Sequence, residues 1–149
     1  MIHIEPATRK DLPIILSFIE GIAAYEKLSH EVESTIEKLD ETLFGDRPYA
    51  EVLIAYEGQT PVGFALYFHN YSTFRARPGI YLEDLFVLPE HRGKGYGKAL
   101  LERIISIATE RKCGRVEWSV LDWNTPAIDF YKSMGAVPMD EWTVFRITL

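Results

Sequence analysis

The sequence has a single cysteine, Cys113, among its 149 residues. A lone cysteine excludes an internal disulfide and suits the reducing cytoplasm, where we therefore expect the protein. Cys113 is best interpreted as a small buried apolar residue, because no His-and-acid pattern accompanies it. The histidines are also few, and none stands at metal-ligand spacing from another or from Cys113; they are His3, His30, His69 and His91. We expect no metal site.

Long apolar runs and a positive charge balance are missing as well. No apolar stretch approaches the roughly 20 residues of a membrane span, and the first five residues lack the basic and apolar regions of a signal peptide. Sixteen Lys and Arg stand against 22 Asp and Glu, a formal net charge of −6. This balance argues against binding nucleic acid and is compatible with a cationic substrate.

Apolar residues, by contrast, make up 47% of the chain, and eight Tyr, eight Phe and three Trp make it rich in aromatics. This is the composition of an ordinary globular protein with a pocketed core. The length suits a single domain over residues 1–149, and no repeat, linker or low-complexity segment divides it.

The most informative stretch is residues 87–101, which predicts the end of a strand, a glycine-rich turn and the start of a helix. Gly93, Gly95 and Gly97 lack Cβ atoms, so a ligand can approach the backbone closely. The helix that follows begins with free N–H groups and the positive end of its dipole. Together with Arg92 and Lys94, these groups predict an anion site, most naturally for phosphate.

Two known phosphate-binding patterns do not fit this turn. The P-loop requires Ser or Thr after Gly-Lys, but Gly97-Lys98 is followed by Ala99, and position 92 is not glycine. The dinucleotide fingerprint requires G-x-G-x-x-G, whereas these glycines alternate as G-x-G-x-G. The alternative to a phosphate site is a glycine turn that serves only the fold.

Hydrophobic periodicity predicts the elements before the turn. Thr8 is a plausible cap for the first helix, and Ser34 or Thr35 for the second. The second helix contains Ile36, Leu39 and Leu43 and ends at Gly45. The predicted elements are a strand over 2–5, a helix over 10–26, the second helix, a strand over 50–56, a hairpin turn at 57–59, a strand over 62–71, a loop over 72–79 and a strand over 80–87.

After the turn, an apolar stripe of period 3.6 predicts a helix that ends at Cys113-Gly114. Alternation over 115–121 predicts a fifth strand, Asn124 or Thr125 caps a short helix that ends at Met134-Gly135, and residues 142–149 supply one or two last strands. The fold class is therefore mixed α/β (α+β), with a largely antiparallel sheet, helices on both faces and a parallel strand–helix–strand unit over 80–121.

The pattern R-G-x-G-x-G at 92–97 resembles the pyrophosphate loop of the GNAT acetyltransferase superfamily, and the element order resembles the GNAT fold over nearly the whole chain. Four stretches resemble the spermidine/spermine acetyltransferase subgroup, which includes a thialysine-preferring branch. They are Ala24-Tyr25-Glu26, Tyr81-Leu82-Glu83-Asp84, Trp123-Asn124-x-Pro126, and the run from Asn124 through Asp129-Phe130-Tyr131-Lys132 to Gly135-Ala136.

The resemblance implies an enzyme that transfers the acetyl group of acetyl-CoA to a primary amine of a small molecule by direct attack in a ternary complex. The acceptor would be a polyamine or a diamino acid such as thialysine, and the enzyme would be a homodimer. The implied cofactor-binding residues are Leu85, Phe86, Val87, Arg92, Gly93, Lys94, Gly95, Tyr96, Gly97, Lys98, Asn124, Pro126, Ala127 and Tyr131. A strand irregularity near 85–87 would present backbone N–H groups to the thioester carbonyl.

The implied catalytic residues are Tyr131 and Glu83. Tyr131, a phenol with an ordinary pKa of about 10, would protonate the departing thiolate. Glu83 would act as a base through a water, or would only bind the substrate ammonium. Tyr25 and Glu26 would line the amine side with Glu83, or would form a solvated helix end. Asp84 is expected to serve the fold, and Asn124 to bind the cofactor arm or only to cap a helix.

The sequence also departs from the polyamine enzymes, which have an Arg pair where this chain has Ser133 and Met134. Arg75 and Arg77 in the loop over 70–79 are unfavourable for a polycation. Other acceptors therefore stay open, namely a protein N-terminus or lysine and an antibiotic amine, as does an acyl-CoA sensor without turnover. A sensor would require neither Glu83 nor Tyr131. The apolar C-terminal run at 142–149 is a plausible edge strand that a second subunit would cover.

Overall fold

A computed structural model describes residues 2–149. Its contacts group into two compact units, one that runs to Trp118 and one that comprises Ser119–Leu149. The first unit contains a five-stranded sheet of strand order β1-β2-β3-β4-β5. All neighbours are antiparallel except β4 and β5, which are parallel. The mixed, largely antiparallel sheet is confirmed.

The strands and helices follow the predicted order as far as the short helix of the second unit. Their bounds are β1 Ile2–Pro6, α1 Leu12–Tyr25, α2 Ile36–Phe44, β2 Glu51–Glu57, β3 Thr60–Ser72, β4 Arg77–Val87, α3 Tyr96–Glu110, β5 Val116–Glu117 and α4 Thr125–Ser133. Thr35 caps α2, since its Oγ1 accepts the N–H of Lys38 at 3.1 Å, as predicted. A 3₁₀ turn, Arg9–Asp11, precedes α1.

One face of the sheet is covered by α1 and α2. Both helices place apolar residues at helical spacing, and alternate residues of the strands point to the same side. The buried cluster between them comprises Leu12, Ile15, Phe18, Leu39, Leu43, Val52, Ile54, Phe64 and Phe86. The ring of Phe18 lies 5.3 Å from that of Phe64 and 6.0 Å from that of Phe86, so α1 is fixed directly over β3 and β4.

The opposite face is covered by α3, which contacts all five strands and buries Leu100, Leu101 and Ile104 completely. The C-terminal end of α3 is joined to β2 by a bidentate ion pair. Arg111 donates to the two carboxylate oxygens of Glu51 at 2.7 and 2.8 Å. Hydrogen bonds from Arg111 lower the pKa of Glu51. Helices on both faces are therefore confirmed.

The strand irregularity lies earlier than predicted, at Glu83 rather than near 85–87. Leu66 pairs with Asp84 and Tyr67 with Leu82, so Glu83 is an extra residue in β4. Such a bulge exchanges the faces to which the following side chains point. Leu82 is thereby buried on the side of α3, while Asp84 and Phe86 face the side of α1.

The predicted loop over 72–79 is wrong, because β3 runs to Ser72 and β4 begins at Arg77. Only residues 73–76 turn, with Ala76 at φ 53°. Pro78-Gly79 was interpreted as the end of a loop but lies within β4. Gly79 faces Asn70 of β3 so closely that a Cβ atom there would collide with the Asn70 amide. Glycine here serves close strand packing rather than a turn.

Three predictions for the C-terminal third are also wrong. The fifth strand is only Val116–Glu117, not 115–121. Helix α3 ends before Cys113-Gly114, where Lys112 takes the left-handed conformation at φ 59° and the N–H of Cys113 bonds the carbonyl of Ala108 at 2.9 Å. Residues 142–149 form no strand, and their apolar side chains are exposed. Alternating apolar residues require a neighbouring strand, which this segment does not have within residues 2–149.

Within the described residues, no helix has the length and apolarity that crossing a membrane requires.

Gly63 provides a test of strand packing. A Cβ atom at Gly63 would lie 2.6 Å from the backbone oxygen of Phe86, which cannot move without distorting β4. We expect Gly63→Ala to reduce the free energy of unfolding by about 1–3 kcal/mol, measured by urea denaturation. The control is Gly97→Ala, whose added methyl would have its nearest neighbour at 3.9 Å. Equal stability of Gly63→Ala and the wild type would contradict this account of the β3–β4 contact.

Candidate active site

The glycine turn has the geometry of an anion site. Gly93 and Gly95 take left-handed conformations, at φ 79° and 91°, and α3 begins at Tyr96. The first N–H groups of a helix have no acceptor within that helix, so those of Tyr96, Gly97 and Lys98 point out of its N-terminal end. A Cβ atom on Gly93 would meet nothing within 4 Å. The turn therefore offers open space in front of backbone N–H groups.

A carboxylate on β2 holds this turn from one side. Glu57 Oε2 accepts from His91 Nδ1 at 2.8 Å and from Lys94 Nζ at 3.3 Å. Hydrogen bonds from His91, from the Tyr96 hydroxyl and from Lys94 lower the pKa of Glu57. The sequence pattern places Glu57 only in a hairpin turn, because its partners lie more than 30 positions away.

The outer edge of β4 is open beside the turn. Leu88 N–H bonds the carbonyl of Val62 at 2.8 Å, and an antiparallel ladder alternates between paired and outward-pointing residues. The N–H and C=O groups of Leu85 and Val87 therefore point away from β3, whereas those of Phe86 point toward it. Strand β5 pairs with β4 only at Ile80 and Tyr81. An extended ligand can thus pair with Leu85 and Val87, two of the three predicted residues.

Arg92 lies elsewhere than its predicted role suggests. Its Nε donates to the carbonyl of Val87 at 2.9 Å. Its guanidinium carbon lies 4.9 Å from the ring centroid of Tyr25 and 5.5 Å from that of Phe86. The side chain thus holds the glycine turn against the end of α1, and its role in phosphate binding stays a prediction.

The bulge and the end of α1 bring three carboxylates within electrostatic range of one another. Burial, reinforced by Glu83, raises the pKa of Glu26. Burial, reinforced by Glu83 and then Glu26, raises the pKa of Asp84 to about 7. Glu83 itself is exposed. A cation that enters between these groups would relieve their mutual repulsion, so the cluster favours an amine over an anion.

Asp84 has a property that its sequence position does not predict, a raised pKa. A carboxyl with a pKa of about 7 can take up or release a proton at neutral pH. The available signal was a carboxylate at position 84 within the apolar run of β4, next to Glu83. The sequence could not show that the bulge turns Asp84 inward, toward the side of α1.

The second unit contains the remaining predicted residues on and before α4. Asn124 is 7% exposed, and its Oδ1 accepts the N–H of Ala127 at 3.4 Å, which confirms it as the helix cap. Asn124, Ala127 and Tyr131 are spaced by three and four residues and so share one face of α4. Tyr131 is half-buried, with its ring 5.5 Å from that of Phe130, and Pro126 is exposed.

Comparison with known proteins identifies the family. The sequence model of the acetyltransferase (GNAT) family matches residues 19–136. The chain belongs to the GNAT family. A thialysine N-epsilon-acetyltransferase of Bos taurus is 37% identical, over 97% of this chain and 91% of that protein. An L-ornithine N5-acetyltransferase of Arabidopsis thaliana is 32% identical, over 98% and 84%.

A solved structure agrees with this assignment. An integron cassette protein of V. cholerae superimposes with a TM-score of 0.82 at 27% identity, over 99% of this chain and 92% of that protein. The GNAT fold and the likeness to the thialysine and spermidine/spermine subgroup are thus confirmed. GNAT proteins are acetyl-CoA-dependent N-acyltransferases, so the protein is an N-acetyltransferase that acts on amines.

No group of three or more His, Cys, Asp or Glu side chains that could hold a metal ion occurs among residues 2–149 of this GNAT enzyme. The expectation of a metal-free site stays a prediction.

The pKa of Asp84 leads to a pH-dependent stability. Its value of about 7 lies above the ordinary 3.8, so ionisation opposes folding. The penalty is absent below pH 3.8, grows as the pH rises and is complete above about pH 7, where it is about 4 kcal/mol. We expect Asp84→Asn to be stabilised relative to the wild type more at pH 8 than at pH 4, measured by urea denaturation.

The matched control for this measurement is Glu90→Gln, an exposed carboxylate in the segment before the glycine turn. It removes a carboxylate outside the cluster of Glu26, Glu83 and Asp84, so comparison with it isolates the effect of that cluster. A pH-independent difference for Asp84→Asn would show that Asp84 is ionised without penalty.

Proposed function

We propose that this protein transfers the acetyl group of acetyl-CoA to a primary amine of a small molecule that carries a second cationic group, by direct attack in a ternary complex. The acceptor class is that of polyamines and of diamino acids such as thialysine or ornithine. The observation that carries the proposal is the group of Tyr25, Glu26, Glu83 and Asp84 beside the open edge of β4. Aromatic faces and carboxylates are the groups that bind ammonium ions.

Two relatives support this acceptor class by their names, a thialysine N-epsilon-acetyltransferase and an L-ornithine N5-acetyltransferase. Each name denotes an acceptor that carries an amine on an amino-acid skeleton. A spermidine/spermine N(1)-acetyltransferase-like protein of Homo sapiens is 33% identical, although this chain matches only 22% of its length. Diamino acids therefore take precedence over polyamines in the proposal.

The positions of Arg75 and Arg77 are compatible with a cationic acceptor. Arg75 lies in the β3–β4 turn and Arg77 at the start of β4, not in a loop at the cleft. Glu83 is six residues farther along β4, which at about 3.3 Å per residue is roughly 20 Å from Arg77. At this separation, beyond the roughly 8 Å Debye length of physiological salt, the two arginines repel a bound amine only weakly.

The proposed chemistry divides proton handling between two groups. An aliphatic amine with a pKa near 10 arrives charged and must lose a proton before it attacks the thioester. Glu83 accepts that proton through a water, or binds the ammonium while another group accepts it. Tyr131 donates its phenolic proton to the departing thiolate. The cofactor arm pairs with Leu85 and Val87, and the pyrophosphate lies on the glycine turn at the N-terminal end of α3.

The decisive experiment measures thiol release from acetyl-CoA with a panel of thialysine, ornithine, lysine, spermidine, putrescine, a peptide and an aminoglycoside. We expect turnover with one small-amine class. Tyr131→Phe should lower kcat by on the order of 100-fold or more and change KM little, because a proton donor acts in the transition state. Tyr71→Phe, at an exposed tyrosine near the end of β3, is the matched control.

Several outcomes would overturn this assignment. A loss in kcat/KM with kcat unchanged in Tyr131→Phe would exclude the acid role. Turnover of only the peptide or only the aminoglycoside would move the acceptor class to proteins or antibiotics. Binding of acetyl-CoA without thiol release for any amine would favour an acyl-CoA sensor.

Residues 142–149 support a second proposal, that the protein is a homodimer. Its location in the cytoplasm stays a prediction from the single cysteine. Trp142 is 75% exposed, Phe145 91% and Ile147 88%. Exposed apolar side chains in a β-prone segment favour association. A second copy of the chain supplies an equivalent segment under two-fold symmetry.

We expect the protein to elute as a dimer at micromolar concentration, measured by size-exclusion chromatography with light scattering. Phe145→Glu combined with Ile147→Lys should give a folded monomer, because charge at these positions opposes burial. Thr148→Lys, at an exposed polar position, should remain dimeric. A monomeric wild type would exclude the proposal.

A further inference from the structure

Arg92 connects the two halves of the proposed site. It is the first residue of the glycine turn, yet its guanidinium lies over the rings of Tyr25, at 4.9 Å, and Phe86, at 5.5 Å. Tyr25 is the last residue of α1 and is followed by Glu26. A planar cation therefore occupies an aromatic face beside the carboxylates that are proposed to bind the substrate ammonium.

The same side chain occupies a second position that a ligand would use. The Val87 carbonyl points outward at the open edge of β4, where the amide groups of an extended cofactor arm would pair with the strand. Arg92 Nε already donates to that carbonyl, at 2.9 Å. One side chain thus covers an acceptor for the cofactor arm and an aromatic face for the amine.

We propose that Arg92 is a positioning residue that takes the place of the substrate ammonium on Tyr25 until acyl-CoA binds and draws it away. The inference rests on the proposed function of the glycine turn and of the cluster formed by Tyr25, Glu26 and Glu83. Its consequence is that bound coenzyme A increases the affinity of the protein for the amine.

The direction of this coupling follows from charge and reach. The backbone of Arg92 begins the glycine turn, so its side chain can turn to a pyrophosphate bound there. Guanidinium–phosphate hydrogen bonds are charge-assisted and bidentate, and so are stronger than contacts with a carbonyl and an aromatic ring at an exposed site. An amide of the cofactor arm then takes over the Val87 carbonyl. The guanidinium then no longer competes with the amine for the ring of Tyr25.

Other contacts hold the turn in place while Arg92 moves. Glu57 on β2 binds His91 and Lys94, neither of which is a contact of Arg92. The turn therefore keeps these contacts when the Arg92 side chain leaves Tyr25. Exchange of the Arg92 side chain between two positions can occur without refolding the loop.

The first test uses nuclear magnetic resonance on the protein alone and with saturating coenzyme A. The Arg92 Nε–H signal, assigned by its loss in Arg92→Lys, should show a cross-relaxation contact with the Tyr25 ring in the free protein. Coenzyme A should abolish that contact. The amide signals of Gly93 and Gly95 report whether coenzyme A is bound at the glycine turn.

The outcomes separate this inference from the proposed function. If the glycine signals do not move with coenzyme A, the cofactor site itself is wrong. If they move and the Arg92–Tyr25 contact persists, only the role of Arg92 is overturned. Absence of the contact in the free protein would overturn it as well.

The second test measures coupling by calorimetry, with the amine of highest turnover as probe and each variant saturated with coenzyme A. In the wild type, coenzyme A should increase amine affinity by about tenfold, within the usual range for coupled sites. In Arg92→Gln the increase should fall below about twofold, because no guanidinium covers the Tyr25 ring from the start. The amine affinity of uncomplexed Arg92→Gln should approach that of the wild-type complex.

Arg103→Gln is the matched control, since Arg103 is an exposed cation on α3 outside the proposed site. It should retain the wild-type coupling. Equal coupling in the wild type and Arg92→Gln would refute the proposal, even if Arg92→Gln binds coenzyme A more weakly.

Discussion

The extra residue in β4 at Glu83 is the constraint on which the sheet and the candidate site both depend. If the register of Tyr67 and Leu82 continued without it, Leu85 would lie opposite Phe64, and Phe86 would turn toward α3. The cluster of Phe18, Phe64 and Phe86 under α1 would then lose a member, which the burial of these rings makes costly. The same extra residue turns Asp84 inward and leaves Glu83 exposed beside it. Core packing and the acidic character of the site therefore have one structural origin.

The glycine turn is held from two sides by groups that differ in kind. On the side of β2, the carboxylate of Glu57 accepts hydrogen bonds from His91 and Lys94, and these bonds pre-organise the turn before any ligand binds. On the side of α1, Arg92 makes a cation–π contact and one hydrogen bond to a strand carbonyl. Such contacts at exposed sites are each worth on the order of 1 kcal/mol, so a bound phosphate can compete for Arg92. The contacts of Glu57 are suited to hold the turn, whereas the contacts of Arg92 can break when a phosphate binds.

Family membership and site geometry address different questions about the enzyme. The GNAT match and the named relatives determine that the reaction is acetyl transfer to an amine. The choice among amines depends on local groups, because one fold accepts many acceptors. In the proposed site those groups are carboxylates at the end of α1 and on β4 near an aromatic ring, and the proposal of an acceptor with more than one positive charge rests on them. The basic residues of the β3–β4 turn lie too far along the strand to oppose such an acceptor.

The sequence by itself determined the helices and strands with strong hydrophobic periodicity and the glycine turn, whose glycines have a distinctive spacing. Strands β1 to β4, helices α1 to α4, the caps of α2 and α4 to within one residue, and the glycine turn follow from local rules that need only a few neighbouring residues. The tertiary structure alone decided what depends on distant partners. It placed the bulge at Glu83 rather than near 85–87, extended β3 and β4 through the predicted loop, and reduced β5 to Val116–Glu117. It also joined Glu57 to His91 and Arg92 to Tyr25. These contacts join residues 34 and 67 positions apart, and no local pattern records a hydrogen bond or a ring contact across that separation.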